Sequence, residues 1–444
     1  MRFVTATLIL PFLCFLKIPF KIAGKDNQTD FRFIVLSDFH AAEGWSLGAD
    51  LEITKKANQA KLNNVKVLKS DYGGDFIMIP GDIVGGHWYQ EKFLEKLNVN
   101  TAEEAIALAA DNAYSGMKNV FSQGGYSKII LAVGDHELGG NPWGGGTKQF
   151  AALPIYREKL SKYFHEDSDG NFLYNTTIGN TKPRPFGTVF EDTSFVYLHK
   201  NLLIITVDAF KTVENSFFDK ELGLGGEGTV TCTVSGTHLD WFKSVLQAAK
   251  KDSAIDHIIV QAHLPILQPV RKINCSGQFM DESEGNKFWE LMRRYDVDMY
   301  FAGEVHTNTV TKDHKSNLLQ IVSRGNFFNN FITFDVTADT LELTSYNEQG
   351  TLASYNANYT AWGNLKIDKS GNKTKIESSG VLKLLDRWQP LLQFSFEEIN
   401  TLESRPVLKI RHDDYKETLV QTKITIRGVE CYYSLQNFGT FDRE

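Results

Sequence analysis

The sequence is poor in cysteine, carries no excess of positive charge and has almost no long apolar run. Its 444 residues include 4 cysteines, and those after Cys14 allow at most one disulfide, with one thiol left over or bonded to another molecule. The formal net charge is −7, which argues against broad attraction to nucleic acid or to an anionic membrane. Beyond the N-terminal segment, no stretch approaches about 18 uninterrupted apolar residues, so we expect no membrane span there. The sequence leaves open how Cys232, Cys275 and Cys431 pair.

A P-loop and the nucleophile elbow of serine hydrolases are also absent. The glycine-rich stretches at 139–146 and 223–228 are not P-loops, because Gly-Lys-Ser/Thr does not follow either of them. No Gly-x-Ser-x-Gly nucleophile elbow occurs, which sets a serine hydrolase aside. We interpret both glycine-rich stretches as loops.

The N-terminus has the pattern of a secretory signal peptide. Arg2 gives a positive start, residues 3–16 are mostly apolar, and the small residues Ala23 and Gly24 follow. The pattern predicts a signal peptide over residues 1–24 and a secreted glycoprotein, with an uncleaved anchor as the alternative. Glycosylation sequons, which fit a secretory route, occur at Asn27, Asn175, Asn274, Asn358 and Asn372.

Short apolar runs alternate with helical patterns between residues 30 and 335. The apolar runs end at turn residues, which is typical of buried strands, and the helical segment 101–122 opens with a capping box of Thr101 and Glu104. This alternation predicts a layered α/β fold, in which ligands bind beyond the carboxyl ends of the strands. Residues 336–444 are predicted to be a mostly β C-terminal extension. The main predicted strands are 31–37, 75–80, 128–133, 201–207, 257–262 and 297–302.

Five features with acidic residues or histidines follow strands of this set. Alone, a Gly-Asp pair is usually a turn, and a lone histidine at a strand end is usually structural. Together at strand ends they predict a metal site, because carboxylate and imidazole ligands suit divalent ions such as Mn, Fe, Zn or Mg. An aspartate between two ions can bridge them, and a water between them can lose a proton to become a nucleophile. The five features are Asp38-Phe39-His40, Gly81-Asp82, Gly134-Asp135-His136-Glu137, His263 and Gly303-Glu304-Val305-His306.

In this order, the motifs resemble those of the calcineurin-like metallophosphoesterase superfamily, which includes purple acid phosphatases and acid sphingomyelinase-like enzymes. The pattern of that superfamily is Asp-x-His, Gly-Asp, Gly-Asn-His-Glu/Asp, His and Gly-His-x-His. The resemblance covers residues 30–335. It implies a catalytic domain there, built as a four-layer α/β/β/α sandwich of two mixed sheets.

The resemblance also implies a role for each matching metal ligand. Asp38, His40 and His306 would bind the first metal ion. His263 would bind the second ion, and Asp82 would bridge the two.

Two further residues would take part in catalysis, and two more are candidates for substrate binding. By resemblance, His136 would protonate the leaving group and would be held by its acidic neighbour Glu137. His87 is a candidate phosphate contact, and a packed aromatic loop is an equally good interpretation of its surroundings. Arg324 is a candidate clamp for the phosphate, because a guanidinium binds phosphate oxygens well.

Two positions depart from the superfamily pattern. Asp135 stands where the pattern has Asn, and Glu304 stands where it has the first His of Gly-His-x-His. Both would bind the second ion, so the number of anionic ligands would rise from two to four. A site richer in oxygen favours Mn, Mg, Ca or ferric iron over Zn. We hypothesise a working site with two divalent ions, or one trivalent and one divalent ion, because both replacements are good ligands.

The sequence therefore predicts a secreted, metal-dependent phosphoesterase that acts on phosphate mono- or diesters. A metal-bridging hydroxide would attack phosphorus, with His136 as the general acid. The alternative is an extracellular binding or structural protein with a structural or inactive metal site. Asp135 and Glu304 support this alternative, whereas the intact pair His136 and Glu137 argues against it. The oligomeric state is not indicated, and no nucleic-acid-binding surface is evident.

Overall fold

A computed structural model describes most of the chain. The predicted signal peptide, most of the first glycine-rich stretch, all of the second and Cys275 lie outside the described residues. No helix in the described part is both long and apolar enough to cross a membrane. The described residues are 30–40, 43–48, 52–140, 147–212, 230–267, 280, 282–348, 358–386, 421–426 and 429–434.

The helices follow the predicted pattern closely. The capping box is confirmed, because the Thr101 side chain accepts a hydrogen bond from the Glu104 amide and the Glu104 carboxylate accepts one from the Thr101 amide. Short helical turns at Leu68–Tyr72, His136–Leu138 and Asn326–Phe328 add to the helices. The α-helices of the described residues are α1 (Glu43–Ser46), α2 (Glu52–Val67), α3 (Glu91–Leu97), α4 (Ala102–Gln123), α5 (Lys148–Ala151), α6 (Leu153–Phe164), α7 (Gly236–Ala249) and α8 (Glu282–Arg294).

Strands occur along the whole described chain. Those in the first half are β1 (Phe31–Val35), β2 (Ile77–Ile79), β3 (Ile129–Leu131), β4 (Phe195–His199), β5 (Leu202–Thr206), β6 (Phe210–Thr212), β7 (Val230–Cys232), β8 (His257–Gln261) and β9 (Met299–Ala302). The later ones are β10 (Thr309–Lys312), β11 (Leu319–Val322), β12 (Asn330–Val336), β13 (Thr340–Glu348), β14 (Tyr359–Asp368), β15 (Lys375–Gly380), β16 (Leu384–Asp386), β17 (Gln421–Ile426) and β18 (Val429–Ser434).

Two seven-stranded mixed sheets form the body of the protein. The first has the strand order β15-β14-β13-β12-β1-β2-β3, and the second has the order β16-β10-β11-β9-β8-β5-β4. β1, β2 and β3 are parallel, as are β5, β8, β9 and β11, whereas the neighbours β12 and β4 run antiparallel. The predicted α/β class with two mixed sheets is confirmed.

Alternate residues of each strand face different layers, as the period of two in a strand requires. In β1, Phe33 and Val35 belong to the apolar core between the two sheets, where Phe33 stacks on Phe76 and Phe334 at 4.7 and 4.6 Å. The intervening Ile34 belongs to the other core cluster, together with the buried faces of α4, α6, α7 and α8. The result is a helix–sheet–sheet–helix arrangement.

A strand of the first sheet crosses the boundary predicted at residue 335. β12 crosses this junction and pairs with the whole of β1, from Phe31 opposite Val336 to Val35 opposite Ile332. β13, β14 and β15 then widen the first sheet, and β16 pairs with β10 in the second. The described residues between 337 and 386 thus belong to the same two sheets as the strands that precede them.

The parallel strands bring the predicted motifs to one region. β1, β2 and β3 end just before Asp38, Asp82 and Asp135 in the first sheet. β8 and β9 end just before His263 and Glu304 in the second. Contacts between these strand ends build the site.

Candidate metal centre

All seven predicted metal ligands lie together with His136 in one cluster. Their ligand atoms form three groups, and within each group all atoms lie within 4.8 Å of one another. His40 and Asp82 each belong to two groups, so the cluster is continuous. The groups are Asp38, His40 and His306; His40, Asp82 and His136; and Asp82, Asp135, His263 and Glu304.

The first group places imidazole nitrogens around one carboxylate. His306 Nε2 lies 3.3 Å from Asp38 Oδ1 and 3.4 Å from His40 Nε2. His40 Nε2 is in turn 3.7 Å from Asp82 Oδ2. Two imidazole nitrogens that face each other with a carboxylate beside them are well arranged to share a cation.

The third group surrounds one histidine with three carboxylates. His263 Nε2 lies 3.1 Å from Asp82 Oδ2, 3.1 Å from Glu304 Oε2 and 3.5 Å from Asp135 Oδ1. Its other nitrogen, Nδ1, contacts the Pro80 carbonyl oxygen at 2.7 Å, which fixes the ring. The two residues that depart from the superfamily pattern, Asp135 and Glu304, therefore lie where ligands of a second ion would be needed.

The backbone is strained at most of these positions. Positive φ angles occur at Asp38 (47°), His40 (44°), Asp82 (58°), Glu304 (68°) and His306 (50°). Residues other than glycine seldom adopt this left-handed conformation, and such strain persists only where the surrounding structure enforces it. The chain bends sharply at each strand end, which turns the ligand side chains towards a common centre.

Glycines in the motifs make room for ligands from other motifs. A Cβ atom on Gly81 would lie 2.4 Å from Nδ1 of His263, and one on Gly134 would lie 2.1 Å from Oδ1 of Asp82. Such contacts are too short for any larger residue. Packing therefore requires glycine at these two positions, because a side chain there would collide with a ligand that follows a different strand.

The carboxylate of Glu137 holds the loop that carries Asp82. Its Oε2 accepts hydrogen bonds from the amides of Asp82 (2.8 Å) and Gly134 (2.7 Å), and its Oε1 accepts from Ile83 (2.8 Å) and Val84 (3.3 Å). Burial raises its pKa, although these amides favour the charged form. Glu137 therefore acts on the site through the backbone around Asp82.

His136 is held by the backbone and not by its acidic neighbour. Its Nδ1 donates to the Gly85 carbonyl oxygen at 2.8 Å, and the described hydrogen-bond partners of the Glu137 carboxylate are all backbone amides. The sequence predicted that Glu137 holds His136, whereas in the structure the Gly85 carbonyl oxygen contacts the His136 ring. The two residues share a 3₁₀ turn, in which consecutive side chains point about 120° apart.

The acidic side chains of the cluster have strongly perturbed pKa values. Burial, reinforced by the nearby carboxylate of Asp135, raises the pKa of both Asp82 and Glu304 to about 7. Burial would also raise the pKa of Asp38, but the contact with His306 lowers it to about 2. Crowded carboxylates without a counter-charge hold protons that a bound cation would displace.

The histidines of the cluster divide into neutral and charged ones. Burial, together with the neighbouring His136, lowers the pKa of His40 to about 3, which leaves the neutral imidazole that metals bind. Burial would lower the pKa of His136 as well, but Asp82 and Asp135 raise it to about 9. His136 is therefore protonated at neutral pH in this arrangement.

The donor set fits metal ions. Oδ2 of Asp38 is buried and has no hydrogen-bond partner among the described residues. The ion pairs of the Asp38 and Asp82 carboxylates within the described residues are all with histidines. Four buried carboxylates gathered around histidines need positive charge, and divalent cations supply it.

The two predicted substrate residues lie at the edges of the site. The His87 ring packs edge-on against His136 at 5.2 Å, so it is close enough to contact a bound substrate. Its neighbour Trp88 is buried and stacks on Tyr156, as the packed-loop interpretation predicted. The Arg324 guanidinium lies 5.2 Å from the centres of two aromatic rings, those of Phe328 and Trp362.

Sequence reasoning missed the aromatic turn beside the first group. Phe327 lies 5.5 Å from the His40 ring and 6.0 Å from the His306 ring, and its side chain is exposed. Consecutive phenylalanines directly after a Gly-Asn turn and a strand end were the signal that could have revealed it. The sequence also did not show that Cys232 lies near the site, where burial and the nearby carboxylates of Glu304 and Asp135 raise the pKa of its thiol.

The family model of the calcineurin-like phosphoesterases matches residues 31–308, which contain every residue of the cluster. The chain belongs to this family. As a member it is a metal-dependent phosphoric ester hydrolase, and the cluster described above has the residue types and the spacing to hold metal ions.

Similarities to individual proteins are weak. GAP50, the anchor in the inner membrane complex of Plasmodium, is 13% identical, with 75% of this chain and 88% of that chain covered and a TM-score of 0.41. PhoD is 10% identical, the match covers 81% of this chain and 74% of the PhoD chain, and the TM-score is 0.46. The phosphopantetheinyl hydrolase of Mycobacterium tuberculosis is 11% identical, the match covers 66% of this chain and 89% of that hydrolase, and the TM-score is 0.27. None of these similarities indicates a substrate, and no curated protein matches the sequence.

Metal affinity should fall as the pH is lowered from about 8 to about 6, because Asp82 and Glu304, with pKa values near 7, must lose their protons to bind a cation. Calorimetric titration of Mn²⁺ into the metal-free protein, in two buffers of different ionisation enthalpy, measures the affinity and the protons released. An affinity that does not change over this pH range, with no proton release near pH 7, would contradict the assignment of these carboxylates as ligands.

Replacing Glu137 with Gln should weaken metal binding by about 10–100-fold, the range typical of residues that orient ligands. Glutamine offers one acceptor oxygen, so an NH₂ group would face two of the backbone amides that now bind the carboxylate. Metal titration of the variant checks this. The control is Glu91→Gln, at an exposed residue that forms an ion pair with Lys148. Equal metal affinity of the two variants would contradict the role assigned to Glu137.

Proposed function

We propose that the protein hydrolyses phosphate mono- or diesters at a two-ion centre, with His136 as the general acid. The observation that carries the proposal is the position of Asp82. Its Oδ2 lies 3.7 Å from His40 Nε2, 3.1 Å from His263 Nε2 and 4.0 Å from His136 Nε2. One carboxylate thus joins the two ligand groups and also faces the proposed proton donor.

The two ions, when bound, supply Lewis acidity and lower the pKa of a water that attacks phosphorus. The residues of this chain then do the rest. Asp38, His40 and His306 are placed to hold one ion, and His263 is placed to hold the other. Asp82 is the ligand that both would share.

His136 is oriented for proton donation. Its Nδ1 is engaged by the Gly85 carbonyl oxygen, so the proton available for transfer is on Nε2, which points towards Asp82. A quarter of the His136 side chain is exposed, so an ester oxygen can reach it. A general acid needs this combination of a fixed ring and an accessible protonated nitrogen.

The charge of the site favours phosphodiesters over monoesters. A monoester carries more negative charge and depends more on cationic clamps. Asp135 and Glu304 add anionic ligands beside Asp82, whose ion pairs within the described residues are all with histidines. A diester, with one negative charge fewer, is repelled less by this ligand shell.

The same oxygen-rich ligands bear on the identity of the metal. Around the second ion, three carboxylates would accompany the single imidazole of His263. Hard oxygen ligands suit Mn, Mg, Ca or iron better than Zn. We expect two divalent ions, or one trivalent and one divalent ion, chosen from this group.

Secretion is a further part of the proposal. The N-terminal signal-like segment supports it. Three of the sequons, at Asn175, Asn358 and Asn372, have exposed asparagines, as glycosylation requires.

Hydrolysis of para-nitrophenyl phosphate and its bis-ester by protein stripped of metal and reloaded with Mn, Mg, Ca, Fe or Zn tests the function. We expect turnover that depends on added metal, favours the bis-ester and is lost in Asp82→Ala, because the shared ligand is removed. His136→Gln should lower kcat by about 10²–10⁴-fold for alkyl esters, whose leaving groups need protonation, and by less for para-nitrophenyl esters.

The controls separate the proposed enzyme from its alternative. Asp169→Asn, at an exposed position, should behave as the unmodified protein does. No turnover with any ion, despite tight metal binding, would favour a binding protein with an inactive centre. An equal loss for both ester classes in His136→Gln would contradict its role as general acid.

Replacing Asp135 with Asn should shift metal preference towards Zn by about tenfold, because a hard anionic ligand is exchanged for a neutral one. Competition between Mn²⁺ and Zn²⁺ for the metal-free protein, measured by calorimetry for the variant, the unmodified protein and Asp169→Asn, gives the ratio of affinities. An unchanged ratio would show that Asp135 does not set the metal preference.

A further inference from the structure

Phe327 leaves a large aromatic ring exposed at the rim of the metal centre. Its residue is 47% exposed, although buried phenylalanines are abundant in the described chain. The ring centre lies 5.5 Å from that of His40 and 6.0 Å from that of His306. Both histidines are proposed metal ligands, so the exposed ring lies beside the place where a phosphate ester would bind.

The turn that carries Phe327 is fastened to the metal ligands by its backbone. The Phe327 amide donates to the Asp38 carbonyl oxygen at 2.8 Å, and the Asn326 amide donates to the Ser37 carbonyl oxygen at 2.7 Å. Gly325, at φ +90°, packs so closely that a Cβ atom on it would lie 2.7 Å from the Cβ of Asp38. The ring is therefore presented from a rigid support, which lowers the entropy lost on binding.

The neighbours of Phe327 extend the aromatic surface. Phe328 packs edge-on against Phe327 at 5.2 Å and lies 5.5 Å from the His306 ring. The guanidinium of Arg324 lies over Phe328 and over Trp362, at 5.2 Å from each ring centre. Aromatic rings flanked by a cation are suited to stacking against another π system.

We propose that Phe327 is a specificity-determining residue that stacks on an aromatic group of the ester, such as an aryl ring or a nucleobase. This inference rests on the proposed function, because it assigns a substrate class to the same site. Stacking on a nucleobase or an aryl ring adds affinity without requiring hydrogen bonds to the edge of that ring. An ester with only small alkyl groups would leave the ring without a partner.

The test compares two phosphonates, which bind as phosphate mimics and are not hydrolysed. Phenylphosphonate and methylphosphonate are titrated calorimetrically into the full-length, Mn²⁺-loaded protein. Phe327→Ala should weaken phenylphosphonate binding by about tenfold and change methylphosphonate binding by less than about twofold. Phe327→Tyr, which keeps the ring, should retain the affinity for phenylphosphonate. Phe186→Ala, at an exposed phenylalanine packed under Arg184, is the matched control.

Kinetics give a second measurement. With aryl phosphodiesters, Phe327→Ala should raise KM with little change in kcat, as expected when binding is lost equally in the ground and transition states. Equal weakening of both phosphonates would mean that the substitution distorts the metal centre, and no weakening of either would mean that the ring is not used. Each result would overturn the inference while hydrolysis by the unmodified protein persists. If the unmodified protein binds neither phosphonate and hydrolyses no ester, the proposed function fails and the inference fails with it.

Discussion

The crowding of buried carboxylates around His263 is the constraint on which the site depends. Asp82, Asp135 and Glu304 all lie within 3.5 Å of its Nε2, inside a protein where desolvation makes each negative charge costly. Burial and the nearby Asp135 carboxylate raise the pKa values of Asp82 and Glu304 to about 7. Without cations, these two carboxylates therefore tend to hold protons. The fold thus holds together ligands that repel one another, and metal binding relieves that repulsion.

Holding such ligands in place requires a rigid scaffold, and the two sheets provide it. The site combines strand ends from both sheets, so its geometry is fixed by the apolar core between them. Left-handed backbone at Asp38, Asp82 and Glu304 is tolerated because neighbouring motifs enforce it. Glu137 adds four hydrogen bonds to amides around the Asp82 loop. Preorganisation of this kind lets a centre act without rearranging its ligands.

The rim of the site differs in character from its floor. The floor is anionic and built from strand ends, whereas the rim near His306 is aromatic, with Phe327 exposed and Arg324 held over Phe328. Floor and rim are joined by backbone hydrogen bonds between the Gly325–Phe327 turn and the Asp38 loop. Chemistry at phosphorus and recognition of the rest of the ester can therefore be separate properties of adjoining residues.

Much of the site could be predicted from sequence because its ligands lie at the ends of strands. Local spacing is enough to show that Asp38 and His40 leave the sheet together, and apolar runs reveal which residues follow a buried strand. The order of the motifs then identified the family and pointed to the seven candidate ligands. The capping box at Thr101 was equally local, and equally predictable.

Sequence by itself determined the ligand types, their order and the α/β class, since each depends on short-range patterns. Tertiary structure decided what depends on distance between remote segments. It brought Asp135 and Glu304 to the same histidine, and it placed the Glu137 carboxylate where backbone amides donate hydrogen bonds to it. It also added strands beyond residue 336 to both sheets. It also left Phe327 exposed beside His40. The physical reason is that strand pairing and sheet packing set these separations, and no local spacing of residues encodes them.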